Sequence, residues 1–279
     1  MPATPPLVVS SYTLGTTVGF ADRVRAAAEA GFDGIGLRAE NYWDAGIDDA
    51  TMLDIAGQHG VRILEVEYLT GWGTAADRDQ AQQAKEQTVF HMARAFGVRH
   101  LNAGLLEKLP LDAVADEFAA LCERAGPDLT VALEFMPYSG VPDLATAWQV
   151  VQAAPNGALI VDGWHWARAS QQAFDLDNVP AERIVSVQLC DVQKEPMQPS
   201  RAESLGYRLP PGQGYGDTIG MVRALAEHGV TPAVMTVEVI SDELVARGVD
   251  VAAQVTADAA REVLASAGGS LSGSASRRT

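Results

Sequence analysis

Short runs of Val, Ile and Leu alternate along this chain with longer segments in which apolar positions recur every three or four residues. The β-rich runs fall at 7–14, 34–40, 62–69, 99–104, 130–136, 158–164, 184–191 and 233–240. Helical spacing, usually closed by a glycine, runs over 20–31, 48–60, 78–97, 111–126, 143–154, 217–229 and 243–268. The segment 165–183 has room only for a short helix. Strands separated by helices predict a parallel sheet. Eight such units in about 250 residues match a single closed (β/α)8 TIM barrel better than an open doubly wound sheet. No glycine-rich dinucleotide turn follows the first strand, which also counts against an open nucleotide-binding sheet. The barrel is expected over 1–268, and the small polar tail 269–279 is expected to be disordered.

Composition narrows the partners. The hydrophobic content of 47% is enough for one large core. No run of about 18 apolar residues exists, and the start MPATPPLVVS does not read as a secretory signal. Two cysteines, Cys122 and Cys190, read as reduced thiols, so a cytoplasmic protein is expected. Acidic residues outnumber basic ones 36 to 20, for a net charge of −16. A nucleic-acid binder needs a basic face, so nucleic acid is not expected as a ligand, nor is a membrane. The acidity also disfavours strongly anionic small molecules, unless a local Arg cluster holds one phosphate.

In such a barrel the chemistry sits at the C-terminal strand ends. There the sequence puts Glu65 and Glu67 on strand three, Glu134 on strand five and Asp162 on strand six. Gln188 and Asp191 lie on strand seven and Glu238 on strand eight. One buried carboxylate is readily explained by pairing. Several converging at one rim repel each other unless a cation sits among them. Glu134, Asp162, Gln188 and Glu238 offer three charges and one neutral oxygen. That set suits Mn2+ or Mg2+, with Co2+ or Zn2+ less favoured because zinc usually takes more nitrogen or sulfur. His165 and Arg168, on the loop after Asp162, face the same space as substrate-binding donors. Trp164 and Trp166 offer flat faces to sugar C–H groups, or pack the rim.

The pieces ALEFMP around Glu134, VDGWHWAR around Asp162, VQLCD around Gln188, RLPPGQG at 208–214 and TVEVIS around Glu238 occur in one order over 130–241. In them the chain resembles the sugar phosphate isomerase/epimerase family of xylose isomerase-like barrels. The resemblance implies that Glu134, Asp162 and Glu238 are metal ligands, with Gln188 where many members have histidine. It gives His165 and Arg208 to the substrate, and places Gln213 where many relatives have Glu. It implies an acid/base pair, Glu134 and Glu238, on opposite faces of a hydroxyketone carbon. One removes a proton and the other returns it, through a metal-stabilised enediolate. Glu67, Tyr68 and Trp72, with Arg38 and Glu40, are further candidates for the pocket wall. His59 and His228 sit at helix ends and His91 within a helix, as structural residues. His100 opens a strand, on the side away from chemistry. With at most one rim histidine, the trinuclear-zinc endonuclease branch of the fold does not fit. The leading expectation is a metal-dependent isomerase or epimerase of a sugar or keto-cyclitol. A lyase or dehydratase on the same scaffold, and a non-catalytic sugar-binding subunit, are the alternatives. A homo-oligomer is compatible with all three.

Overall fold

A computed structural model of the chain describes residues 5–74, 76 and 78–268. The expected disordered tail, 269–279, lies outside the described residues. The strands β1 (Leu7–Val9), β2 (Gly34–Arg38), β3 (Arg62–Leu69), β4 (His100–Gly104), β5 (Thr130–Glu134), β6 (Gly157–Asp162), β7 (Ile184–Leu189) and β8 (Val234–Val237) are all parallel. They close into a barrel in chain order, with β8 paired back to β1. The outer ring holds α1 (Phe20–Glu29), α2 (Ala39–Ala45), α3 (Asp49–Gln58), α4 (Gln80–Phe96), α5 (Leu111–Ala125) and α6 (Leu144–Val151). It continues with α7 (Gly163–Arg168), α8 (Ser200–Ser204), α9 (Thr218–Glu227), α10 (Asp242–Ala246) and α11 (Val249–Ser266). Among the described residues no helix is long and apolar enough to cross a membrane.

Most strands end two or three residues short of the ranges read from the sequence, and three of the differences have a clear local reason. The first strand stops at Val9 because the Ser10 and Ser11 hydroxyls turn inward to Glu67. The sixth strand stops at Asp162, whose Oδ1 accepts the His165 backbone N–H and so caps α7. His165 and Arg168 therefore stand on a helix, not on a loop. The single closing helix expected over 243–268 is two, α10 and α11. Gly248 adopts φ 97° between them, which L side chains rarely adopt.

The barrel interior is polar to an unusual depth. Glu65 is fully buried, with His100 Nε2 at 3.0 Å, and accepts from Ser186 Oγ at 2.8 Å and Thr236 Oγ1 at 2.6 Å. Burial pushes its pKa up, but the His100, Thr236 and Ser186 bonds bring it below the ordinary value. Two residues further up β3, Glu67 needs space from β2, and Gly36 leaves it. A Cβ there would lie 1.7 Å from Glu67 Oε1. Glu134 pairs with Ile160, and Asp162 pairs with Gln188.

Candidate active site

Four carboxylates, one imidazole and one guanidinium meet at the C-terminal end of the barrel. His165 Nε2 lies 3.0 Å from Glu134 Oε1 and 4.0 Å from Asp162 Oδ1. Arg208 Nη1 donates to Asp162 Oδ2 at 2.8 Å and to Glu238 Oε2 at 3.2 Å. The same guanidinium donates through Nε to the Ser204 carbonyl and through Nη2 to the Ser204 hydroxyl. Ser10 Oγ stands 3.2 Å from Glu238 Oε1 and 3.1 Å from Glu67 Oε2, so one hydroxyl proton is shared between two carboxylates. All of these side chains are buried.

Crowding of like charge out of water shows in the pKa values. Burial holds the Glu238 carboxyl well above the ordinary range. Arg208 pulls it down, and the charges of Glu134, Asp162 and Glu67 push it up again. Burial, with the charge of Glu65 beneath it, lifts Glu67 to about 7, against the Ser11 and Ser10 bonds. Burial also raises the Tyr68 hydroxyl, helped by the Glu134 charge.

These groups floor a small pocket. Glu134, His165, Ser204, Arg208 and Glu238 supply its polar surface. Tyr12, Tyr68, Met136, Tyr138, Leu205 and Ile240 supply its walls. A larger hollow beside Cys122 and Asn156 lies at the opposite end of the barrel, where Glu123 is its one carboxylate. Size alone would select that hollow, but the converging ionisable groups select the mouth.

The donor set fits a divalent cation. Ligand atoms of Glu134, Asp162 and His165 lie within 4.8 Å of one another. Gln188 points inward beside Asp162, and its Oε1 is buried with no hydrogen-bond partner. A buried carbonyl oxygen left bare costs about 1–3 kcal/mol, which a bound cation would recover.

Other residues expected at the site lie elsewhere. Arg168 does not face the pocket. Its Nε and Nη2 bind Glu203, and Nη2 also donates to the Gln193 carbonyl at 2.9 Å. Glu203 Oε2 in turn accepts the Met197 N–H at 2.8 Å, so the pair ties the α8 segment to α7. Trp164 does not face the pocket either. It is fully buried and stands edge-on behind His165, ring centroids 5.1 Å apart. Glu67 lies beneath the floor and reaches the pocket only through Ser10. Trp72 packs on Phe118. Arg38 stacks on Tyr12 and pairs with Glu40, which also holds Lys85. Gln213 is exposed. Asp191 Oδ1 accepts the Val192 and Gly216 N–H groups and so shapes the β7 loop. Sequence reasoning missed Ser10 and Tyr12, although both follow directly on a strand end. Ser204 and Leu205 gave no periodic signal, because α8 is one turn in an irregular segment.

The family model for xylose isomerase-like TIM barrels matches residues 24–266. No curated protein matches the chain in sequence. Solved structures with the same fold include the IolI protein with a bound zinc atom. It is 19% identical, with a TM-score of 0.82, and 93% of this chain covers 98% of that one. A probable 3-DHS dehydratase, AsbF from Bacillus anthracis, is 13% identical, with a TM-score of 0.72 and coverage of 90% and 97%. The D-allulose 3-epimerase from Methylomonas sp., in complex with D-allulose, is 17% identical, with a TM-score of 0.67 and coverage of 94% and 98%.

Proposed function

The chain belongs to the family of xylose isomerase-like TIM barrels, and from that premise we propose that it is a divalent-metal-dependent isomerase or epimerase of a hydroxyketone sugar or keto-cyclitol. One observation carries this reading. Glu134 and Glu238, from the ends of β5 and β8, are both buried and both line one pocket with Arg208 and His165 between them. Glu134, Asp162, Gln188 and Glu238 would hold the ion, in line with the buried oxygen of Gln188 that has no other partner. When bound, Mn2+ or Mg2+ supplies positive charge beside the substrate carbonyl and acidifies the neighbouring C–H.

The protein groups do the rest. Glu134 removes the proton from the carbon next to the carbonyl, and its position is fixed by His165 Nε2 at 3.0 Å. Glu238, on the other side of the pocket, returns a proton to the opposite face, which inverts the centre, or to the neighbouring carbon, which isomerises. Arg208 supplies fixed positive charge beside the substrate oxygens, and His165 a hydrogen bond, as negative charge develops there. The IolI protein binds zinc and D-allulose 3-epimerase binds D-allulose on this fold, which supports a metal and a sugar here.

The raised Glu238 also favours a second reading. That carboxyl, once it carries a proton, can pass it to a departing β-hydroxyl, and the same first step then ends in dehydration. Both readings are tested by incubating the Mn2+-loaded protein with ketoses and keto-cyclitols in D2O. Deuterium at the α-carbon, seen by NMR, supports proton abstraction. New enone absorbance in the ultraviolet separates dehydration from epimerisation. No exchange with any member of the panel sinks both.

A further inference from the structure

The one pocket cation, Arg208, has almost no donor to spare. Its Nε–H is taken by the Ser204 carbonyl. Nη1 serves Asp162, the Glu238 side chain and the Glu238 carbonyl, and Nη2 serves the Ser204 hydroxyl. Among the described residues no other Lys or Arg lines the pocket. Arg168 is spent on Glu203 and Gln193, and Arg38 on Glu40 and the Tyr12 ring. Lys194, in the loop after β7, is exposed and outside the lining.

The charges at the mouth already balance. Three carboxylates, Glu134, Asp162 and Glu238, are met by one guanidinium and one divalent ion, and Glu67 and Glu65 lie below. A dianion added there would be repelled with nothing left to neutralise it. Barrels of this kind often bind phosphate at the loops after strands seven and eight, on the N-terminus of a short extra helix. Here that helix is α10, and its first turn carries Asp242 and Glu243 with Ser241 capping Leu244 N–H. In the β7 loop the Val192 and Gly216 N–H groups are spent on Asp191, and Asp217 follows at the start of α9. Both places meet a phosphate with negative charge.

Space and wall chemistry point the same way. The pocket is narrow, with only about 40 Å3 of open space, far below the roughly 300–1,000 Å3 typical of ligand sites. Its walls are aromatic and aliphatic, with Leu205 and Ile240 opposite the polar floor.

We infer that the site takes an uncharged, unphosphorylated hydroxyketone whose C–H surface rests on the Tyr12, Met136, Leu205 and Ile240 walls. This rests on the proposed function above, and it names the substrate class within that reading. The test is calorimetric binding to the Mn2+-loaded protein with matched pairs, D-fructose against its 6-phosphate and D-xylulose against its 5-phosphate. An unphosphorylated keto-cyclitol is run beside them. The free ketones should bind at least about tenfold more tightly than their phosphate esters. Equal or tighter binding of the esters overturns the inference, and so does a panel in which no member binds. Proton exchange is read on the same samples. Selective binding of the free ketones without any exchange leaves this inference standing and removes the isomerase reading.

Discussion

Arg208 holds Asp162 at 2.8 Å where neither side chain reaches water. The guanidinium is a resident cation in a nest of carboxylates. Asp162 Oδ2 and Glu238 Oε2 are both within reach of one nitrogen, Nη1. Removing it leaves the buried Asp162 carboxylate without its ion-pair partner. Arg208→Met should therefore lower the stability of the metal-free protein by about 3–5 kcal/mol in urea unfolding. Added Mn2+ should recover part of that loss by supplying the missing charge. Unchanged stability, with no response to Mn2+, would show that the guanidinium does not neutralise the cluster.

Glu67 gives the metal-free protein a pH signature. Its folded pKa rises from 4.5 to about 7. A raised folded pKa means its contribution is full below about pH 4.5 and is lost as the pH climbs through about 7. The loss amounts to roughly 3 kcal/mol for this fully buried group. Glu67→Gln removes the titration. The stability of wild type minus that of the variant should fall by this amount between about pH 4.5 and pH 8. A flat difference across that window contradicts the assignment.

The clamp between α7 and α8 is a second place where one pair fixes the mouth. Arg168 and Glu203 join the two helices, and the turn they pin carries Ser204, which holds Arg208. Arg168→Met should cost about 3 kcal/mol and expose 192–207 to limited proteolysis. It should also lower turnover, because Arg208 loses its support. Cleavage at the wild-type rate would mean that the segment is held by other contacts.

The period of the sequence carried the barrel, because parallel strands buried on both faces read as plain Val/Ile/Leu runs and their helices end at glycine. Glu134, Asp162 and Glu238 were legible for the same reason, since a carboxylate on an apolar strand end has no packing role. Arg168 was misplaced because a guanidinium two turns from a candidate ligand looks the same in sequence whether it faces a pocket or a buried Glu203. The α7 boundary was missed although Asp162, as a helix-capping residue, signalled it. Ser10, Tyr12, Ser204 and Leu205 belong to the pocket through tertiary contacts that no spacing encodes.

The metal assignment separates two residues that stand close together. Chelation should abolish activity, and Mn2+ should restore it better than Zn2+. Gln188→Ala should lose metal, and Gln188→His should shift preference toward Zn2+ or Co2+. His165→Ala should keep the metal and lose turnover, because His165 Nε2 stands at hydrogen-bond distance from Glu134. Metal analysis of the purified variants checks this. Loss of metal in His165→Ala would give the imidazole the ligand role that its place beside Glu134 and Asp162 also allows.

The central claim is that Glu134 and Glu238 are the acid and base on two faces of one carbon. Glu134→Gln and Glu238→Gln each keep an oxygen for the metal and remove the proton-transfer group. The decisive measurement is the rate of α-proton exchange and product formation for both variants, in D2O, with a substrate that the wild type turns over. Each variant should lose about 10²–10⁴-fold in turnover while staying folded. With a substrate whose proton leaves from one face, one variant should lose exchange and the other should keep it. If both variants run near the wild-type rate, neither carboxylate transfers the proton and the account of this site is wrong.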